Sequence, residues 1–463
     1  MPSPLVWSAL IAAFLGFGVL MGRATGPDSV GALAARRVPL KLLVARVPTS
    51  SVPSTTPAAT PPPLPETETT PEPSPPASPS KGSKHASGSS SSSGSSAGSN
   101  EPSGGSEESS GGGEGASPQG AKAKLPAIKH VFVVMLGDEP YATAFGPASP
   151  AHYLSGTLEK EGQLLVRYYA VAHEGLANEI ALLSGQGPTE ATAANCPIYS
   201  DIAPASTGAG EQVLGKGCVY PSTTGTLMGQ LSAKHLTWKA YVEGIGEGSG
   251  KPPACGHPTL GAADPGTGPY QTWRNPFVYF QAIAGSPACA THDVGMNGLG
   301  HDLANEGRTA DFTYIAPGPC DDGSPTPCAP GAASGMMAAD AFLHGIVPVI
   351  LTSKAYRKNG LLVITVDQAP PSGEYADSSS CCGQPRFLNL PAPTGAAALS
   401  PQGGGQVGLL LLSPFIKRGG LAQDTYNHFS LLATIEQAFG LPRLGYAGLS
   451  EVKPFSPSLF SGG

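Results

Sequence analysis

The chain has 463 residues, only 13% of them charged, and a formal net charge of -7. A nucleic-acid footprint needs a clustered basic face. The one basic stretch, Arg36, Arg37, Lys41 and Arg46, instead follows an apolar segment, so nucleic acid is excluded as a partner.

Leu5 to Met21 is a continuous apolar run broken only by Ser8, just long enough to cross a bilayer with help from its flanks. It reads as a signal peptide or a single membrane anchor, and residues 1–46 form that segment with its basic flank. The positive charges begin at Arg23, after the run, which is the reverse of an ordinary signal peptide and by charge bias alone would leave the rest of the chain inside. Residues 47–124 follow as a Pro-, Ser- and Gly-rich linker; up to Ala121 it contains no Phe, Trp or Tyr. Such a stretch cannot bury enough apolar surface to offset its ordering entropy and is predicted to be disordered.

Residues 125–463 form the folded block. Val131 to Leu136 is a short Val-rich apolar run, the pattern of a strand buried on both faces. Tyr153 to Glu161 reads as a helix, the L-L-V-R-Y-Y-A-V run as a strand, and Leu176 to Ser184 as a helix opening after a glycine. Thr226 to Lys234 (helix) and Leu236 to Val242 (strand) continue the alternation. From Gly244 to Thr272 periodicity vanishes and Gly and Pro accumulate, predicting a long loop. Asp311 to Ala316 (strand), Ser334 to Leu343 (helix), Gly360 to Val366 (strand), Gly408 to Leu412 (strand) and Phe429 to Phe439 (helix) complete the series, the last helix stopping at Gly440 with Pro442 beyond. Alternating strands and helices predict an α/β architecture with a parallel-sheet core.

All 8 cysteines fall in the folded block. An even number downstream of an export-like segment points to disulfides outside the cytoplasm. Order along the chain suggests Cys196 with Cys218, Cys255 with Cys289, and Cys320 with Cys328. Adjacent Cys381 and Cys382 would close a strained ring, so these two are expected to bond elsewhere or to stay reduced. The protein is expected to be extracytoplasmic, either membrane-anchored through its N-terminal segment or secreted.

Ligands bind beyond the carboxyl ends of strands in open α/β sheets, which directs attention to Gly137, Asp138 and Glu139; to His173, Glu174 and Gly175; to Asp321 and Asp322; to Asp367 and Gln368; and to His428. Singly, each is a helix cap or turn residue. Together, carboxylates at three strand ends and a helix-start histidine form the hard-oxygen and imidazole set that a divalent metal site requires. Arg274-Asn275-Pro276-Phe277, set among Tyr270, Trp273, Tyr279 and Phe280, reads as core packing beneath that face. The glycines from Gly244 to Gly250 do not open a helix after a buried strand, so they are not a dinucleotide site.

From Ile128 to Ala447 the order and spacing resemble the bacterial phosphoesterase family of acid phosphatases and phospholipase C-type enzymes, within the alkaline-phosphatase-like superfamily. The resemblance is carried by Val133 to Leu136 with Tyr141 and Phe145-Gly146, by Tyr168 to Val171 with His173 and Asn178, by Arg274 to Phe280, by Leu361 to Asp367 and by Tyr426 to Pro442. It implies a three-layer sandwich, a mostly parallel central sheet with helices on both faces, and hydrolysis of phosphate esters. The family's first strand leads into Glu-Asn, where Gly137 and Asp138 stand here. Its Ser or Thr nucleophile, two residues after a histidine, aligns with Gly175. A family histidine has become Ser324, and a Glu has become Gln368. Asp138, Asp322, Asp367 and His428 remain as ligands for one divalent metal ion, with His173 and Asn178 as substrate contacts.

Glycine offers no attacking hydroxyl, so three functions stay open. The first is an exported family member whose hydrolysis is lost or much reduced and which binds a phosphate-ester small molecule or lipid headgroup. The second is an active metal-dependent hydrolase using metal-bound water or a nearby serine. The third is a structural cell-surface domain displayed on a stalk.

Overall fold

The computed structural model describes residues 124–463 apart from 247–252, 265–267, 326–327, 393–402 and 461–463. The apolar segment, its basic flank and all of the linker but its last residue lie outside the described residues. Among the described residues no helix is long and apolar enough to cross a membrane.

Among the described residues, twelve strands follow one another as β1 (His130–Leu136), β2 (Gln163–Leu165), β3 (Tyr168–Tyr169), β4 (Ala203–Thr207), β5 (Val213–Lys216), β6 (Trp238–Val242), β7 (Asp293–Val294), β8 (Phe312–Ala316), β9 (Gly360–Val366), β10 (Leu409–Leu412), β11 (Gly420–Ala422) and β12 (Tyr426–Asn427). Eight of them build one sheet in the order β11-β2-β10-β9-β1-β8-β6-β7. Every pairing is parallel except those of β10, which runs against both β2 and β9. Every residue of β1, β8, β9 and β10 is buried. Because successive side chains of a strand point to opposite faces, full burial means that both faces of the sheet are covered. The α/β class predicted from the alternation is the one observed.

Among the described residues, the α-helices longer than five residues are α1 (Gly175–Ser184), α2 (Leu227–Ala233), α3 (Met336–Thr352), α4 (Lys354–Asn359) and α5 (His428–Phe439). Helix α5 opens on Asn427, whose side-chain oxygen accepts from Ser430 N–H, and closes on Gly440 in the left-handed conformation at φ 63°, the capping chemistry that its sequence advertises. It packs against α1.

Three departures from the predicted elements have local causes. The L-L-V-R-Y-Y-A-V run splits: β2 stays in the main sheet, while β3 leaves it to pair with β12 in a separate ribbon. Helix α3 runs past Leu343 to Thr352 despite Pro348 in its interior. Val347 and Ile350 are buried on the core, and that packing outweighs the proline's missing N–H. The predicted disulfides 196–218, 255–289 and 320–328 are all present. Cys381 and Cys382, expected to avoid each other, are instead joined, and the backbone turns at Cys382 to φ 63° to allow it.

The 255–289 bridge tethers the long loop after β6, and beside it lies Asp293 at the start of β7. Asp293 is fully buried, with one oxygen accepting from Asn275 Nδ2 at 2.8 Å, and burial pushes its carboxyl up to about 7. A carboxyl whose folded pKa exceeds its unfolded value stabilises the fold below the unfolded value and loses that contribution as pH rises through the folded one. Stability should therefore fall between about pH 4 and pH 7, by up to about 4 kcal/mol from this group. Asp293→Asn should flatten that slope, measured as the urea midpoint against pH; an unchanged slope would show that the proton is not held there.

Candidate active site

Strands β9, β1 and β8 are neighbours in the sheet, and the loops that leave their carboxyl ends are stitched together by backbone hydrogen bonds. Gly137 N–H donates to Asp322 O at 2.7 Å, Asp367 N–H to Leu136 O at 2.9 Å, and Glu139 N–H to Gln368 O at 3.1 Å. Topology thus brings Asp138, Asp322 and Asp367 to one edge, and their charges act on one another. Asp367 is fully buried, and burial, with Asp138 next in weight, holds its carboxyl well above the usual range. Asp322 is raised by burial and pulled back by Arg274. Glu139 is pushed up to about 7 by burial, then by Asp138 and Asp322. Glu179, on the first turns of α1, is buried and raised, with Arg274 again opposing.

Gln368 joins this acidic edge to α1. Its Nε2 donates to Asp138 Oδ1 at 2.7 Å, while its Oε1 accepts from Glu174 N–H at 2.7 Å and faces His173 Nδ1 at 3.3 Å. A glutamate in this place would set a second carboxylate against Asp138 and lose the donor, so the glutamine is matched to its surroundings. His173 Nε2 lies 2.8 Å from Ser378 Oγ. Asn178 is completely buried, and its amide is spent on the loop before α1: Oδ1 accepts from Val171 and Ala172 N–H, and Nδ2 donates to Ala172 O and Glu174 O. Those bonds hold Glu174 at φ 70°, a left-handed conformation that costs a non-glycine residue free energy. They aim the first turn of α1 at Asp367.

Gly175 opens that turn. A Cβ built there would overlap Asp367 Oδ2 and stand 3.0 Å from Cζ3 of Trp273. Gly137 is equally confined: a Cβ would lie 2.9 and 3.0 Å from the two terminal nitrogens of Arg274 and 3.0 Å from Asp322 Oδ2. The Arg274 guanidinium ion-pairs with Asp322 Oδ2, donates to Ser324 Oγ at 3.3 Å, and stacks over Trp273 with 4.2 Å between its central carbon and the ring centroid. Its side chain is 5% exposed.

The donors decide whether this set fits the expected divalent ion. Both oxygens of Asp367 lack a hydrogen-bond partner, which by itself favours a cation. The other expected ligands are committed elsewhere. His428 Nε2 faces the Asp367 carbonyl oxygen at 3.0 Å, an acceptor only, so it carries the proton; Nδ1 then accepts from the Tyr168 hydroxyl at 2.8 Å. No lone pair is left for a metal, and burial holds this imidazole down at about 4, neutral and structural. Among the described residues, no three donors of this edge lie within 4.8 Å of one another; the group that does, Cys255, Cys289 and Asp293, has its two sulfurs joined in a disulfide. The residues present therefore do not fit one ion held by Asp138, Asp322, Asp367 and His428. The physical reason is that the Arg274 guanidinium holds Asp322 and the space beside it, while both nitrogens of His428 are spent on Asp367 O and Tyr168.

Of the sequence-predicted residues, the structure brings together Asp138, Asp322 and Asp367 and places Gly175 and His173 beside them. His428 touches Asp367 only through the latter's backbone. The residues missed are Arg274 and Trp273, read from sequence as core packing. One signal pointed to them: an arginine packed in the core must face a carboxylate, and carboxylates stand at the strand ends.

The sequence profile of the Phosphoesterase family matches residues 134–442. An acid phosphatase from Aspergillus niger is 23% identical over 226 residues, which is 49% of this chain and 44% of that enzyme, so the match spans less than half the enzyme's length. Similar solved structures include a protein of the alkaline phosphatase superfamily from Vibrio parahaemolyticus, at 11% identity and TM-score 0.42 over 72% of each chain. They also include the PsFucS1 sulfatase from Pseudoalteromonas sp., at 15% identity and TM-score 0.37 over 72% of this chain and 73% of that one. A third is the lipoteichoic acid synthase LtaP from Listeria monocytogenes, at 11% identity and TM-score 0.37 over 72% of this chain and 76% of that one.

Proposed function

We propose that this chain, which belongs to the Phosphoesterase family, is an exported member in which hydrolysis of phosphate esters is lost or much reduced. The observation that carries this reading is Gly175. The position offers no hydroxyl, and the volume a serine side chain would need is taken by Asp367 and Trp273. Nucleophilic phosphoryl transfer also needs an accessible cationic clamp on the phosphoryl oxygens. The Arg274 guanidinium, the cation nearest to hand, is buried against Asp322. The disulfides support an oxidising compartment. A phosphate-ester small molecule or lipid headgroup is the ligand class that the family suggests.

A second reading has one observation in its favour. Ser378 Oγ, His173 Nε2 and Nδ1, and Gln368 Oε1 lie in hydrogen-bonded sequence at 2.8 and 3.3 Å, the order of nucleophile, base and orienting group. In that reading Ser378 is the attacking hydroxyl and His173 takes its proton. Turnover of aryl phosphate mono- and diesters, with Mn²⁺, Zn²⁺ or Ca²⁺ added, separates the two. The expected result is no turnover above that of an Asp367→Ala control. Turnover abolished by Ser378→Ala and by His173→Ala would install the second reading instead.

A further inference from the structure

We propose that the Arg274 guanidinium is the resident cation of the acidic edge, standing where a divalent ion would otherwise balance it, and that the small residues at 137 and 324 are what give it room.

Three independent contacts converge on this assignment. The guanidinium ion-pairs with Asp322, which is wholly buried, and a carboxylate in that setting is tenable only beside a positive charge. It lies against Gly137, where any side chain would meet its terminal nitrogens within 3.0 Å. It donates to Ser324 Oγ at 3.3 Å, and Ser324 N–H in turn donates to Asp322 Oδ1 at 2.6 Å. The positions where the family resemblance expects a glutamate and a histidine are thus the two that a fork-shaped cation needs kept small. Trp273 fixes the guanidinium plane from its remaining face, the ring centroid 4.2 Å away. The same indole stands 3.0 Å from a Cβ at Gly175. The Trp273-Arg274 pair thus packs against both small positions, 137 and 175, and against the acid beside them.

A cation that is part of the chain cannot be chelated away, and it excludes competitors by charge. The inference does not rest on the loss of hydrolysis, because it is read from metal content and unfolding, and turnover in either direction leaves it standing. The full chain is purified with and without EDTA, analysed for bound metal, and melted in a Mn²⁺ and Zn²⁺ series. The wild type is expected to carry no stoichiometric metal and to show the same midpoint throughout. Arg274→Gln is expected to melt lower in EDTA and to regain about 5 °C on metal addition, the rise that saturating a newly freed site produces. If Arg274→Gln is not recovered folded, Arg274→Lys carries the decision: it keeps the charge and should fold and ignore metal. One equivalent of tightly held metal in the wild type overturns the proposal, as does a folded Arg274→Gln that ignores metal or an Arg274→Lys that responds to it.

Discussion

Arg274→Met should cost about 3–5 kcal/mol of unfolding free energy, and most of that loss should vanish when Asp322→Asn is made with it. The wild-type pair has both partners almost completely buried. Removing the guanidinium leaves Asp322, a fully buried carboxyl, with Ser324 as its remaining hydrogen-bond partner and no cation. An uncompensated buried charge is what makes single deletions of such pairs severe, whereas deleting both partners removes the charge with the contact. The double-mutant cycle, read from urea unfolding at pH 7, should give a coupling of about 2–3 kcal/mol, within the range seen for residues in one network. Additive single effects would mean that the arginine acts by packing on Trp273 alone.

Gly175→Ser, the substitution that would restore a hydroxyl to the first turn of α1, is expected to leave turnover at the background level and to destabilise the fold by about 1–3 kcal/mol. The added Cβ meets the Asp367 carboxyl and the Trp273 ring. Asp367 has little freedom to retreat, because its own N–H is bonded to Leu136 O and its carbonyl to His428 Nε2. A serine here would enter as an overpacked core residue with no room for a phosphoryl group beyond it. Measured turnover rising with this single change would show that the cavity is open in solution and that the missing hydroxyl was the sole defect.

Much of the acidic edge was legible in the chain. Asp138, Asp322 and Asp367 each follow a Val-, Ile- or Tyr-rich run that could only be a strand, and strands of that kind end on one side of a parallel sheet. Cysteine order anticipated three bridges because neighbours along the chain close the smaller loops, here at separations of 22, 34 and 8 residues. The fourth bridge ran against expectation because a left-handed turn at Cys382 cannot be read from residue type. His428 shows the opposite limit. Its place at the start of a well-capped helix was plain, but its role depended on which groups faced its two nitrogens, and Tyr168 reached it only because β3 left the main sheet to join β12.

Hydrophobic periodicity, glycine and proline punctuation, and the residues standing at strand ends determined the α/β framework and the absence of a nucleophilic side chain at 175, because those properties belong to short stretches of backbone. Tertiary structure alone decided what packs against Gly137 and Gly175. Arg274 and Trp273 come from a short 3-10 helix far along the chain, and a cation chooses its carboxylate by distance and desolvation, which no spacing of letters records.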